Sequence, residues 1–145
     1  MSTYGFLECN AGQYMTRDVI TVPRDMVLHD LGTLFEVHDF NAFPVLEASR
    51  MVGIVTKFDF LKVFAFTPHQ IIPHYEDLMR TPVGEVMTEA ITDVQPNTPL
   101  TRVLQVMVGL RARSLPVREV GGDVVGMISR EDIMRALKIS VRKVN

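Results

Sequence analysis

Two periods of apolar and polar positions run along this chain, and they recur in the same order twice. At Leu28, Leu31, Leu34, Phe35 and His38 the pattern returns every three or four residues, the spacing of one helix face. Leu100, Val103, Leu104, Met107 and Leu110 repeat it further on. A short strand is predicted before each helix, over 19–22 and 91–94. Two more strands follow each, over 43–46 and 51–55, and over 115–119 and 124–128. Closing helices are predicted over 57–66 and 130–139. A short helical turn leads into Met15 and into Met87. Thr98-Pro99 suits the start of the second long helix, since threonine caps and proline fits the first helical position.

The halves superimpose residue by residue. With an offset of 72, Gly12 falls on Gly84, Met15 on Met87, Thr16 on Thr88, Val22 on Val94, Leu28 on Leu100, Pro44 on Pro116 and Val45 on Val117. Beyond the second proline the offset is 73, which places Gly53 on Gly126 and Asp59 on Asp132. The extra residue lies in Val120-Gly121-Gly122-Asp123, which reads as a hairpin turn where an insertion is cheap. The first repeat is read as 11–66, a connector as 67–82 and the second repeat as 83–140. The connector carries Pro68, Pro73 and Pro82, with one helical turn around 75–79. One repeat is too small to bury its sheet well. The expected fold class is therefore α/β (α+β): tandem repeats, each strand-helix-strand-strand-helix, packed about a pseudo-two-fold axis. Crevices between the repeats are the natural ligand sites.

Composition narrows the function classes. The chain has 145 residues, 47% of them hydrophobic and 22% charged, which is globular composition. A formal net charge of -2 provides no overall field for nucleic acid or an anionic membrane. The apolar stretches are too short to span a bilayer. Residues 1–10 show no basic segment followed by an apolar run, and the single cysteine, Cys9, suits a reducing compartment. A cytoplasmic location is the expectation.

Two segments could carry chemistry: Gly53-Ile54-Val55-Thr56-Lys57-Phe58-Asp59 and Gly126-Met127-Ile128-Ser129-Arg130-Glu131-Asp132. Each holds a hydroxyl, a cation and a carboxylate at a predicted helix start. The bland reading is a helix cap, with Thr56 or Ser129 at the N-cap and Asp59 or Asp132 in the first turn. The functional reading uses the same geometry: free amides, a hydroxyl and a cation meet phosphate, and the carboxylate accepts from ribose hydroxyls.

These segments, the Met-Thr openings at Met15-Thr16 and Met87-Thr88, and the strands Phe43-Pro44-Val45 and Leu115-Pro116-Val117 make the chain resemble the CBS domain pair, or Bateman module, over roughly 11–139. The resemblance implies a regulatory module that binds adenine nucleotides such as AMP, ADP or ATP, or an S-adenosylmethionine-like ligand. It implies no catalytic residue, no metal and no obligatory cofactor. It further implies a homodimer of tandem pairs and an effector protein, of unknown identity, that reads the ligand state. One crevice would use Thr56, Lys57 and Asp59 with Thr92, Arg113 and Ser114. The other would use Ser129, Arg130 and Asp132 with Ile20, Asn41 and Ala42. Asp59 and Asp132 would hold ribose, Thr56, Ser129 and the cations phosphate, and backbone near Ala42 and Ser114 the base. Lys57 and Arg113 make the first crevice the expected site of the tighter or more phosphorylated ligand. Alternatively, the three cations are solvated surface charges.

The remaining signals are weaker. His38 replaces an apolar residue and is expected to be partly buried. His69 and His74, with Glu76 or Asp77, form a weak metal pattern. No Ser-His-Asp or Cys-His arrangement, P-loop or dinucleotide fingerprint is visible. Phe58, Phe60, Phe64 and Phe66 suit the core or a dimer interface. A structural interaction module without ligand is the second reading, a nucleotide-dependent nucleic-acid binder the third, and an enzyme the least supported.

Overall fold

The computed structural model describes residues 5–66, 74–89 and 91–144, with side chains to residue 139. Their elements run α1 (Ala11–Tyr14), β1 (Val22–Pro23), α2 (Leu28–Val37), β2 (Ala42–Glu47), β3 (Arg50–Thr56), α3 (Lys57–Lys62), α4 (Tyr75–Leu78), α5 (Leu100–Leu110), β4 (Ser114–Arg118), β5 (Val124–Ser129) and α6 (Arg130–Val144). Short 3-10 turns at Gly5–Glu8 and Val83–Glu85 precede α1 and the second Met-Thr opening. This is the expected mixed α+β architecture in tandem repeats.

The chain forms two compact units: Ile20–Ile91, and Met1–Val19 with Thr92–Asn145. In the first, β1, β2 and β3 form a sheet in that order, β1 parallel to β2 and β2 antiparallel to β3. The hairpin turns through Ala48 and Ser49, both at positive φ (51° and 65°), which matches the right-handed twist of the paired strands. Leu28 and Leu31 of α2 bury their apolar stripe against Val22, Phe43, Val45 and Val55. Residues 83–88 close the unit as an arm, with Thr88 pairing antiparallel to Ile54.

The second unit is built the same way. β4 and β5 pair antiparallel, Val94 bridges Val117 in parallel, and the arm of residues 11–16 pairs Thr16 with Met127. Leu100, Val103 and Met107 of α5 pack with Leu115, Val117, Ile128, Ile133 and Ala136. The inserted residue lies in the expected turn: Gly121 has φ 63°, and the Gly122 N–H donates to the Glu119 carbonyl at 2.9 Å. Each arm therefore belongs by sequence to one repeat and by contact to the unit of the other.

Several local expectations change. The predicted strands over 19–22 and 91–94 shrink to Val22–Pro23 and a single bridge at Val94. The Val94 N–H reaches the Pro116 carbonyl at 3.1 Å, but the next ladder bond back would need an N–H from Pro116, and proline has none. Pro44 stops β1 in the same way. Thr98 does not cap α5; its hydroxyl accepts from the Gln95 N–H at 2.9 Å, and Pro99 is the cap residue. Leu110 is exposed because α5 ends at once on left-handed Arg111. The first closing helix stops at Lys62 rather than 66, in the β-branched and aromatic run Val63-Phe64-Ala65-Phe66. The second continues to Val144. A helical turn does occur in the connector, at Tyr75–Leu78, while its residues 67–73, including Pro68, His69 and Pro73, lie outside the described residues.

Candidate functional site

Both segments singled out in the sequence fold into strand-to-helix corners. In the first repeat the β2–β3 ladder ends on Ala42 paired with Thr56, and the Lys57 N–H donates to the Asn41 carbonyl at 3.0 Å. In the second it ends on Ser114 paired with Ser129, and the Arg130 N–H donates to the Arg113 carbonyl at 3.0 Å. Within the units, then, Asn41 and Ala42 gather with Thr56 and Lys57, and Arg113 and Ser114 gather with Ser129 and Arg130. Ile20 belongs to the first of these units and Thr92 to the second. Pro44 and Pro116 leave the Ile20 and Thr92 carbonyls without the ladder donor they would otherwise receive.

The helix starts are reciprocal caps. Asp59 N–H donates to the Thr56 hydroxyl at 3.0 Å, and Thr56 N–H donates to the Asp59 carboxylate at 2.9 Å. In the second repeat Asp132 N–H donates to the Ser129 hydroxyl at 3.2 Å, and Ser129 N–H to the Asp132 carboxylate at 2.9 Å. Both hydrogen bonds follow from a hydroxyl and a carboxylate three residues apart. The bland reading of these residues is therefore realised in full, and it leaves lone pairs on each carboxylate. Asp59 and Asp132 are 4% and 5% exposed, so any further acceptor role operates in a largely dehydrated setting.

Each buried carboxylate also has a cation that sequence reading missed. Lys62 Nζ stands 3.2 Å from Asp59 Oδ1, and Arg135 stands 3.1 Å from Asp132 Oδ1. The two cations match at the offset of 73 and follow their aspartates by three residues, the helical neighbour spacing that could have revealed them. The Thr88 hydroxyl lies 3.4 and 3.5 Å from the Asp59 oxygens. Arg135 also donates to the Tyr14 carbonyl at 2.9 Å, with its guanidinium 5.7 Å from the Tyr14 ring centre. Burial pushes the Tyr14 phenol above its ordinary value of 10.0; neighbouring Cys9 adds to this and Arg135 opposes it.

The expected phosphate cations differ in freedom. Arg130 is tied to backbone, donating to the Ala112 carbonyl at 2.9 Å and the Arg111 carbonyl at 3.2 Å. Lys57 is half-buried and Arg113 exposed, and neither side chain has a partner among the described residues. His38 is half-buried, as expected, and stacks on Phe40 with ring centres 6.0 Å apart. A groove of about 500 Å³ in the first unit is lined by Pro23, Arg24, Glu47, Pro82 and Gly84, away from these corners. Among the described residues no group of three or more His, Cys, Asp or Glu is placed to hold a metal, and no helix is long and apolar enough to cross a membrane.

Comparison with known proteins agrees with this geometry. The CBS domain model matches residues 11–65 and 83–139. The A-adding tRNA nucleotidyltransferase of Geobacter sulfurreducens is 29% identical over 125 residues, covering 86% of this chain and 13% of that enzyme. The chain spans under half the length of the next two curated relatives it matches, both from Methanocaldococcus jannaschii. The CBS domain pair of protein MJ0100, solved with 5′-methylthioadenosine and S-adenosyl-L-methionine, superimposes with a TM-score of 0.76 at 21% identity, covering 90% of this chain and 96% of that one. CBSX2, solved with AMP, does so with a TM-score of 0.73 at 22% identity, covering 92% and 98%. Two matched copies, in the order that the internal repeat and the paired strand-to-helix corners require, place this chain in the CBS domain family.

Proposed function

We propose that this chain is a regulatory module that binds an adenosine-type ligand, such as AMP, ADP, ATP or an S-adenosylmethionine-like molecule, and signals its presence to a partner. The observation that carries the reading is the twice-repeated corner where a buried carboxylate, a hydroxyl and a cation meet at a helix start. Asp59 and Asp132 are the candidate ribose acceptors, with Thr56 and Ser129 beside them. Lys57 and Arg113, free of side-chain partners among the described residues, are the cations best placed for phosphate. Backbone near Ala42 and Ser114, and the carbonyls of Ile20 and Thr92, to which Pro44 and Pro116 offer no ladder N–H, present donors and acceptors to a base. The fold shared with MJ0100 and CBSX2, each solved with an adenosine ligand, supports this class. The role is regulatory rather than catalytic. Exposed Phe58 and Leu61 on α3, and Met134 and Leu137 on α6, support assembly as a homodimer.

Thermal unfolding with AMP, ATP and S-adenosylmethionine tests the reading. Ligand at about a hundred times its Kd adds about 2.7 kcal/mol, which raises the Tm of a domain this size by roughly 5 to 10 °C. The rise is lost in Asp59→Asn. A second reading, an interaction module without ligand, draws on the fact that both carboxylates already have partners inside the protein. Absence of a shift with every adenosine compound would favour it.

A further inference from the structure

The two capping aspartates face different neighbours, and the difference lies in how freely those neighbours can turn. Asp132 receives the backbone N–H of Ser129 and the guanidinium of Arg135. That guanidinium is itself fixed, because its second arm donates to the Tyr14 carbonyl and its face covers the Tyr14 ring. A planar fork held at two ends has no alternative rotamer that keeps both bonds. Tyr14 adjoins the segment whose Thr16 exchanges two hydrogen bonds with Met127, at 2.8 and 2.9 Å.

Asp59 has looser company. Lys62 reaches it with a single ammonium on a flexible stem, as exposed as Arg135 but with no second hydrogen-bond partner among the described residues. The Thr88 hydroxyl approaches at 3.4 and 3.5 Å, near the limit of a hydrogen bond, and rotates about one bond. Both donors can turn to water when another donor arrives. The position matching Tyr14 is Val86, and the ring beside Lys62 is instead that of Phe58, its centre 5.6 Å away, an exposed side chain of the same helix that supplies no carbonyl tie to the rest of the unit.

We infer that Arg135 commits Asp132 to fastening the arm of residues 11–16 onto the second repeat, and that Asp59 alone exchanges its partners for ligand hydroxyls. The inference rests on the adenosine-type reading above and assigns it to one corner. It predicts one nucleotide per chain, with Arg135 as a positioning residue that sets this stoichiometry.

Two measurements on the full chain separate this inference from the reading beneath it. The first needs no ligand: native-state hydrogen exchange of the Thr16 and Met127 amides, compared with Ile54 and Thr88. Arg135→Ala should speed the first pair at least about tenfold relative to global unfolding, while Lys62→Ala leaves the second pair within about twofold. Unchanged exchange at Thr16 and Met127 in Arg135→Ala would overturn the inference. The second is calorimetric titration with AMP, ATP and S-adenosylmethionine. One site per chain is expected, lost in Asp59→Asn. Arg135→Lys, which keeps the charge but cannot hold both Asp132 and Tyr14, should raise the count to two. Two sites in the unaltered chain, or one site that survives Asp59→Asn, would also overturn it. No binding by the unaltered chain would instead sink the adenosine reading, and the exchange experiment would still judge the Arg135 clamp.

Discussion

Gly126 lies directly against Met15: a Cβ at Gly126 would stand 2.5 Å from the Met15 sulfur and 2.9 Å from the Thr16 carbonyl oxygen. Gly53 stands in the same relation to Met87 and Thr88, at 2.6 and 2.9 Å. The methionine of each Met-Thr opening thus seats on the glycine of the other repeat's last strand. A methionine side chain can bend aside, but the carbonyl is locked in a two-bond bridge. Gly53→Ala and Gly126→Ala should therefore each cost about 1 to 3 kcal/mol. Urea unfolding checks this, with a lower midpoint and an unchanged slope as the expected outcome. A loss below the measurement error would contradict the close approach.

The caps make a second prediction. Thr56→Ala and Ser129→Ala each remove the acceptor for the N–H of the aspartate three residues on. Each should destabilise by about 1 kcal/mol. Serine at position 56 should restore most of the loss. A double-mutant cycle between Thr56 and Asp59 should show coupling, since each serves the other's N–H.

Arg111 offers a stabilising change. It ends α5 in the left-handed conformation at φ 56°. Its carbonyl accepts from Arg130, but its own side chain has no partner among the described residues. Glycine keeps the carbonyl and adopts this conformation without the Cβ clash, so Arg111→Gly should gain about 0.5 to 1 kcal/mol. Thermal unfolding would register the gain as a rise of a few degrees. A fall would mean that the arginine side chain contributes contacts of its own.

Tyr14 sets an alkaline limit. Its phenol is held above 10.0 in the folded chain, chiefly by burial. The folded state thus keeps a proton that the unfolded chain releases. This contribution is complete below pH 10 and is lost as pH rises from 10 through the folded value. Denaturation as a function of pH should show the decline, and Tyr14→Phe should flatten it. An identical alkaline slope in the phenylalanine variant would remove Tyr14 as the cause.

Much of the fold was readable from residue spacing. The stripe through Leu28 and Leu31 marked α2, and the single inserted residue fell in the turn at Gly121. Other features were less visible. The strand over 91–94 looked continuous because Ile91 and Val94 favour β structure, yet the missing N–H of Pro116 on its neighbour cuts it short. Leu110 kept helical spacing and is nonetheless exposed, because the chain turns away at Arg111. Arg130 looked like a free phosphate cation, yet it reaches carbonyls 18 and 19 residues back in the chain.

Read alone, the residues were enough to reveal the duplication and the two helix-capping pairs. Those features depend on groups three or four residues apart, whose hydrogen bonds are set by backbone geometry common to every helix. The folded chain alone decided which repeat each Met-Thr arm pairs with, and that Arg135 holds a carbonyl 121 residues away. Such partners are chosen by the fit of side chains such as Met15 against a glycine, which spacing along the chain does not encode. The same long-range contacts make two nearly identical aspartates unequal: Lys62 can swing away from Asp59, whereas Tyr14 holds Arg135 on Asp132.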